Sequence, residues 1–165
     1  MTKATGPLFD VHFRRRREGR TNYVKRLRLL KGGAPRLVVR KSNAGMLVQL
    51  VEFDVKGDKT VTQVSTKDLK TFGFTGKRNV PSAYLIGFLV ARKALAKKVS
   101  TAIADFGMYT ASKGSVLFAV VKGAIDGGLK INVEEDKLPS KDRLNGKHIN
   151  IDITPVIAKI KEAKV

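Results

Sequence analysis

The 165-residue chain has no cysteine and no tryptophan, only two histidines, and 14 acidic residues against 33 Lys and Arg. Without cysteine there is no disulfide frame, no thiolate metal site and no cysteine nucleophile, a usage compatible with a reducing compartment. The histidines, His12 and His148, lie far apart in loop-like segments, which favours neither a metal site nor acid–base catalysis. The longest apolar stretch, Ala83 to Ala91, runs nine residues before Arg92 and Lys93, well short of a membrane span. A basic helix lying on a membrane surface would need bulky apolar anchors, and tryptophan is missing. Met1 to Asp10 lacks the charged-then-apolar pattern of a secretory leader, and no Asn-x-Ser/Thr sequon occurs, so a cytoplasmic location is expected. Thr75-Gly76-Lys77 lacks the upstream glycine of a phosphate-binding loop, and the glycine pairs lack a dinucleotide fingerprint. No cofactor, metal or small-molecule substrate is expected.

What the chain has is positive charge, +19 overall, and a balance this far from neutrality points to a polyanionic partner. Residues 1–41 hold 13 Lys and Arg against Asp10 and Glu18, which is +11 of that total. Arg14, Arg15, Arg16 and Arg17 run consecutively, followed by Arg20, Lys25, Arg26, Arg28 and Lys31. Tyr23, Leu27 and Leu30 recur at i, i+4 and i+7, predicting a helix with one narrow apolar stripe and cations around the rest, stopped at Gly32-Gly33. Such a helix has little to bury against its own protein, and an anionic surface should surround it.

Three strands are predicted next, Arg36 to Lys41, Met46 to Asp54 and Thr60 to Ser65, joined by turns at Ser42-Asn43-Ala44-Gly45 and Lys56-Gly57-Asp58. Thr66 to Val80 reads as a loop in which Phe72-Gly73-Phe74 lies between Lys67, Lys70, Lys77 and Arg78. A helix begins near Pro81, capped by Asn79 or Ser82, with Tyr84, Phe88, Ala91 and Leu95 at helical spacing. Its small-residue ridge, Ala83, Gly87, Ala91 and Ala94, would admit a closely packed neighbour. Thr101 to Phe106 reads as a short strand buried on both faces, and Val116 to Asp126 as a helix after Ser115 that stops at Gly127-Gly128. This order predicts an α/β fold: a β-β-β-α-β-α core with a mixed sheet of about four strands and packed helices. The expected layout is a basic extension and helix over 1–34, the core over 35–129, and over 130–165 an extended arm with a short terminal helix at Thr154-Pro155.

In this arrangement the N-terminal cations would engage phosphates and release counterions. Tyr23 could stack on a base or pack on the domain. Arg36, Arg40, Lys41, Ser42 and Asn43 could present cations and polar donors to sugar and phosphate. Phe72 and Phe74 beside Lys67, Lys70, Lys77 and Arg78 could offer a stacking surface, or anchor the loop to the core. An enzymatic alternative is a metal-dependent nuclease using Glu52, Asp54 and Asp105 on strands, although their spacing forms no diagnostic motif. Another basic RNA-binding or chromatin protein is the second alternative.

Several stretches in this order resemble a known family: Tyr23-Val24-Lys25-Arg26, Pro35 to Asn43, Val48-Gln49, Ser65 to Leu69, Phe72-Gly73-Phe74, Ala83 to Gly87, Asp105-Phe106-Gly107 and Gly114 to Leu129. They are similar to the L-eighteen family of 5S rRNA-binding large-subunit ribosomal proteins, in the archaeal and eukaryotic form. The arm Leu138 to Ile149 looks like an extension of those branches, whereas Asn150 to Val165 resembles nothing placed in the family. The resemblance implies a mixed four-stranded sheet, 5S rRNA as ligand, and contact with large-subunit rRNA. It also implies a place in the central protuberance beside the L-five family protein, with no catalysis.

Overall fold

The computed structural model describes residues 6–163; the first five residues of the basic extension and the last two of the arm lie outside them. Strands β1 (Arg36–Lys41), β2 (Met46–Glu52) and β3 (Lys59–Ser65) form an antiparallel meander, and β4 (Ile103–Asp105) joins β1 in parallel, giving the order β3-β2-β1-β4. The first turn closes where the Ser42 N–H donates to the Gly45 carbonyl at 2.8 Å and the Ser42 hydroxyl accepts from the Gly45 N–H at 3.1 Å.

Alternation along the strands sends Leu37, Val39, Val48, Leu50 and Val64 to one face, where all are fully buried. Against that face pack α3 (Val80–Ala96) and α4 (Val116–Asp126), contributing Leu85, Ile86, Leu89, Leu117, Val120 and Val121 to one core. The Asn79 side chain caps α3 by accepting from the Ser82 N–H at 3.0 Å, and proline fills the first turn. The small ridge meets α4: a methyl on Gly87 would strike the Val120 carbonyl, and one on Gly123 would strike the Tyr84 carbonyl. The helices therefore cross backbone to backbone. At one margin of the sheet, the edge strand β3 has its Val61 carbonyl taken by the Lys97 ammonium from the end of α3.

Several elements differ from the sequence expectation. β2 ends at Glu52, so Asp54 lies in the turn beyond it. The stretch after β3 is a 3-10 helix over Thr66–Phe72, whose start is fixed by the Ser65 N–H donating to Asp68 Oδ2 at 2.7 Å. β4 is an edge strand only three residues long, with Ile103 and Ala104 half-buried; its outer side is met by the 130 region through the Ala102 N–H and the Lys130 carbonyl, 3.1 Å apart.

The basic segment forms two helices, α1 (Arg14–Arg17) and α2 (Tyr23–Lys31), interrupted at Gly19, whose φ of 65° suits glycine. In the C-terminal arm, α5 (Lys141–Leu144) and α6 (Thr154–Glu162) anchor on α3 and the 3-10 helix through Leu144, Ile153, Val156 and Ile160. Among the described residues no helix is long and apolar enough to cross a membrane.

Candidate nucleic-acid interface

The face of β1 opposite the core carries Arg36, Val38 and Arg40, and the parallel pairing places Ile103 and Asp105 of β4 beside Arg36 and Val38. Over this face lies α2, with its N-cap Asn22 accepting from the Lys25 N–H at 3.0 Å. Between α2, the approach to it and the loop after β4 runs an open groove of about 800 Å³. Its walls bring together Arg15, Arg20, Lys25, Arg26 and Arg40, with Asp58 and Asp105 as the carboxylates. Tyr23, Leu29, Met108 and Tyr109 supply its less polar surface.

Both carboxylates are already engaged. Asp105 Oδ2 accepts from Arg36 Nη1 at 3.0 Å, and Asp58 Oδ2 accepts from Arg36 Nη2 at 2.6 Å. Arg26 Nη2 reaches both Asp58 oxygens at 2.9 Å. Burial pushes the Asp58 carboxyl upward, but the hydrogen bonds from Arg26 and then Arg36, with their charges, outweigh it and hold the group below its ordinary value. Lys25 Nζ donates to the Gly107 carbonyl at 2.9 Å, and Arg40 Nη1 donates to the carbonyls of Val39 and Asp105 at 2.9 and 3.2 Å. Arg40 Nη2 stands 4.0 Å from Asp105 Oδ1, and both Lys25 and Arg40 line the groove.

The sequence-based assignments divide accordingly. Arg14 to Arg17 are exposed; Arg14 and Arg20 flank Glu18 at 3.8 and 3.0 Å, and Arg15 Nε donates to the Thr21 hydroxyl at 2.8 Å. Among the described residues no carboxylate lies within ion-pair distance of Arg16, Arg17, Arg28 or Lys31. Lys41, Ser42 and Asn43 are exposed at the end of the first hairpin, where Lys41 Nζ lies 4.9 Å from the centroid of the Tyr109 ring. The Tyr109 hydroxyl donates to the Lys41 carbonyl at 2.8 Å, tying that loop to β1. Lys67, Lys70, Lys77 and Arg78 are exposed but stand outside the groove, so the cations form two separate surfaces.

Three expectations are corrected. Arg36 is 3% exposed and neutralised by two carboxylates, because its strand position faces α2 and β4 and not water; it holds the fold and offers nothing to phosphate. Phe74 is buried in the core and Phe72 packs half-buried against it, so the loop is anchored by its aromatics and presents no open stacking platform. The stripe Tyr23, Leu27, Leu30 turns inward only in part: Tyr23 and Leu30 are half-buried, but Leu27 is 56% exposed, and Arg26 and Leu29 share the side that faces the domain, Arg26 bonded to Asp58. Tyr23 packs near Phe13, with ring centroids 5.4 Å apart. Sequence reasoning missed Asp58, Met108 and Tyr109; Asp58 carried only the signal of a turn residue after Gly57.

A nuclease centre does not assemble from the strand carboxylates. Asp105 is spent on Arg36, Asp54 has left the strand, and among the described residues no three His, Asp or Glu side chains converge as metal ligands.

Residues 8–104, which hold β1 to β3, α3, the start of β4 and the whole basic segment from α1 onward, match the protein family described as ribosomal large subunit proteins 60S L5, and 50S L18. The chain belongs to that family. It is 49% identical over 147 residues to the large ribosomal subunit protein uL18 of Methanoregula boonei, covering 88% of this chain and 84% of the relative. Against the uL18 of Caldivirga maquilingensis the identity is 47% over 148 residues, or 88% of this chain and 72% of the other. As a member of the 60S L5 and 50S L18 family, the chain is a structural protein of the large ribosomal subunit, ribosome-associated and in company with rRNA, and not an enzyme.

Proposed function

We propose that the chain binds 5S rRNA and helps attach it to the central protuberance of the large subunit, next to the L-five family protein and in contact with large-subunit rRNA. The observation that carries this reading is the groove along the outer face of β1, whose five cationic side chains surround only two carboxylates, both occupied by arginine. Arg14 to Arg17, Arg20, Lys25, Arg28 and Lys31 grip phosphates there and along the exposed side of α2. Arg40, Lys41, Ser42 and Asn43 extend the contact to the hairpin end. Lys67, Lys70, Lys77 and Arg78 meet a separate stretch of RNA. Phosphate contacts of this kind set register and supply affinity, while unpaired or irregular RNA supplies the shape that is recognised.

The test is titration of the purified chain with transcribed 5S rRNA and, separately, with transfer RNA. Binding to 5S rRNA should survive a rise in salt that abolishes binding to transfer RNA, and its backbone should be protected from hydroxyl radicals at discrete positions. Equal affinity for the two RNAs at every salt concentration would refute the assignment.

A further inference from the structure

Asp58 stands in the β2–β3 turn, in the wall of the groove that the proposed function gives to RNA. By charge alone a carboxylate there repels a polyanion, and deleting it should tighten binding. Its contacts assign it another part. On one side it is fixed to Arg36, a side chain 4% exposed whose other terminal nitrogen is held by Asp105. On the other side it grips Arg26 of α2 through both oxygens at 2.9 Å. The helix so gripped buries none of its residues fully, and Val24 and Leu27 stand 60% and 56% exposed. With so little apolar contact, ionic and hydrogen-bonded ties decide whether α2 stays on the sheet. Apart from Asp58, the polar tie from α2 to the sheet end among the described residues is Lys25 Nζ on the Gly107 carbonyl.

We propose that Asp58 is a positioning residue for RNA binding: through Arg26 it holds α2 against the sheet in the free chain, so that the basic helix meets the RNA in one preset orientation. This rests on the RNA-binding reading above. Presetting the helix removes an ordering cost that would otherwise fall on the binding step, and a fully charged but untethered helix would bind less tightly.

The experiment compares affinity for transcribed 5S rRNA among the full chain, Asp58→Asn, Asp58→Glu, Arg26→Met and the double variant Asp58→Asn with Arg26→Met, alongside amide hydrogen exchange of each free protein. If the docked population of α2 falls to about one tenth, Asp58→Asn binds about tenfold more weakly although it is the more positive protein. Amides of Tyr23–Lys31 should exchange faster in that variant while those of β1 and β2 keep their protection. Asp58→Glu should recover part of the affinity, and in the Arg26→Met background Asp58→Asn should add no further loss. Affinity equal to or above that of the parent overturns the proposal. So does an undiminished Asp58→Asn effect without Arg26, or a loss of protection throughout the sheet, which would make Asp58 a general support of the fold. A variant with Arg14 to Arg17 replaced by Gln separates the two ideas. If it binds 5S rRNA unchanged, the RNA reading of this face fails; if it binds weakly while Asp58→Asn does not, only the tether fails.

Discussion

Arg36 is a charge the sheet has buried, and Asp58 and Asp105 are what make that tolerable. Losing both would strand the guanidinium in low dielectric, at a cost of about 3–5 kcal/mol, whereas losing Asp58 alone leaves Asp105 in place and costs less. Asp58 also makes stability depend on acidity. Its folded pKa lies below the ordinary value of about 3.9, so its contribution is fully present above that value and is lost as pH falls through the folded one. The stability gap between the parent and Asp58→Asn, measured by denaturant unfolding, should be constant above about pH 5 and shrink below about pH 4. A gap unchanged down to the acid limit would show that the carboxylate's charge is not what stabilises the turn. None of this was legible beforehand. Arg36 pairs with residues 22 and 69 positions away, and an arginine on an alternating strand gives no sign of which face is covered.

At the level of elements, the α3–α4 crossing is the tightest joint in the core. A methyl on Gly87 meets a main-chain carbonyl that cannot swing aside, whereas a methyl on Gly6 meets nothing within 4 Å. Gly87→Ala should therefore lower unfolding stability by about 1–3 kcal/mol or more, with Gly6→Ala near neutral, as read from urea midpoints. This joint could be read in advance, since Ala83, Gly87, Ala91 and Ala94 fall on one side of a helix at helical spacing. So could the limits of β1 and the hairpin turn at Ser42 to Gly45, because each depends on neighbours in sequence, while the α3 cap was narrowed to Asn79 or Ser82 and is Asn79. The 3-10 helix after β3 escaped although Ser65-Thr66-Lys67-Asp68 carries a capping pattern, because three lysines and a glycine nearby read more strongly as loop. The orientation of α2 was legible only in part: Tyr23 and Leu30 of its stripe are half-buried, but Leu27 is exposed and Arg26 reaches a turn 32 positions away.

Across the whole molecule, residues 1–41 carry +11 of the net charge of +19, and the fold leaves most of those cations facing outward. If Arg14 to Arg17 all contact phosphate, their joint replacement by Gln should reduce the slope of log affinity against log salt by about 3, besides weakening 5S rRNA binding. An unchanged slope would place those arginines outside the contact. The basic side chains of the groove stood out in the sequence, but the groove itself did not, since Met108 and Tyr109 reach it only through the parallel pairing of β4 with β1. The far margin of the sheet has a consequence for the chain before it finds RNA. Bare hydrogen-bonding groups along an outermost strand invite a neighbouring molecule to add its own strand, the first step toward aggregates. With Lys97 seated on the Val61 carbonyl, one of those groups is already taken and a cation stands at that margin, both of which disfavour such strand addition.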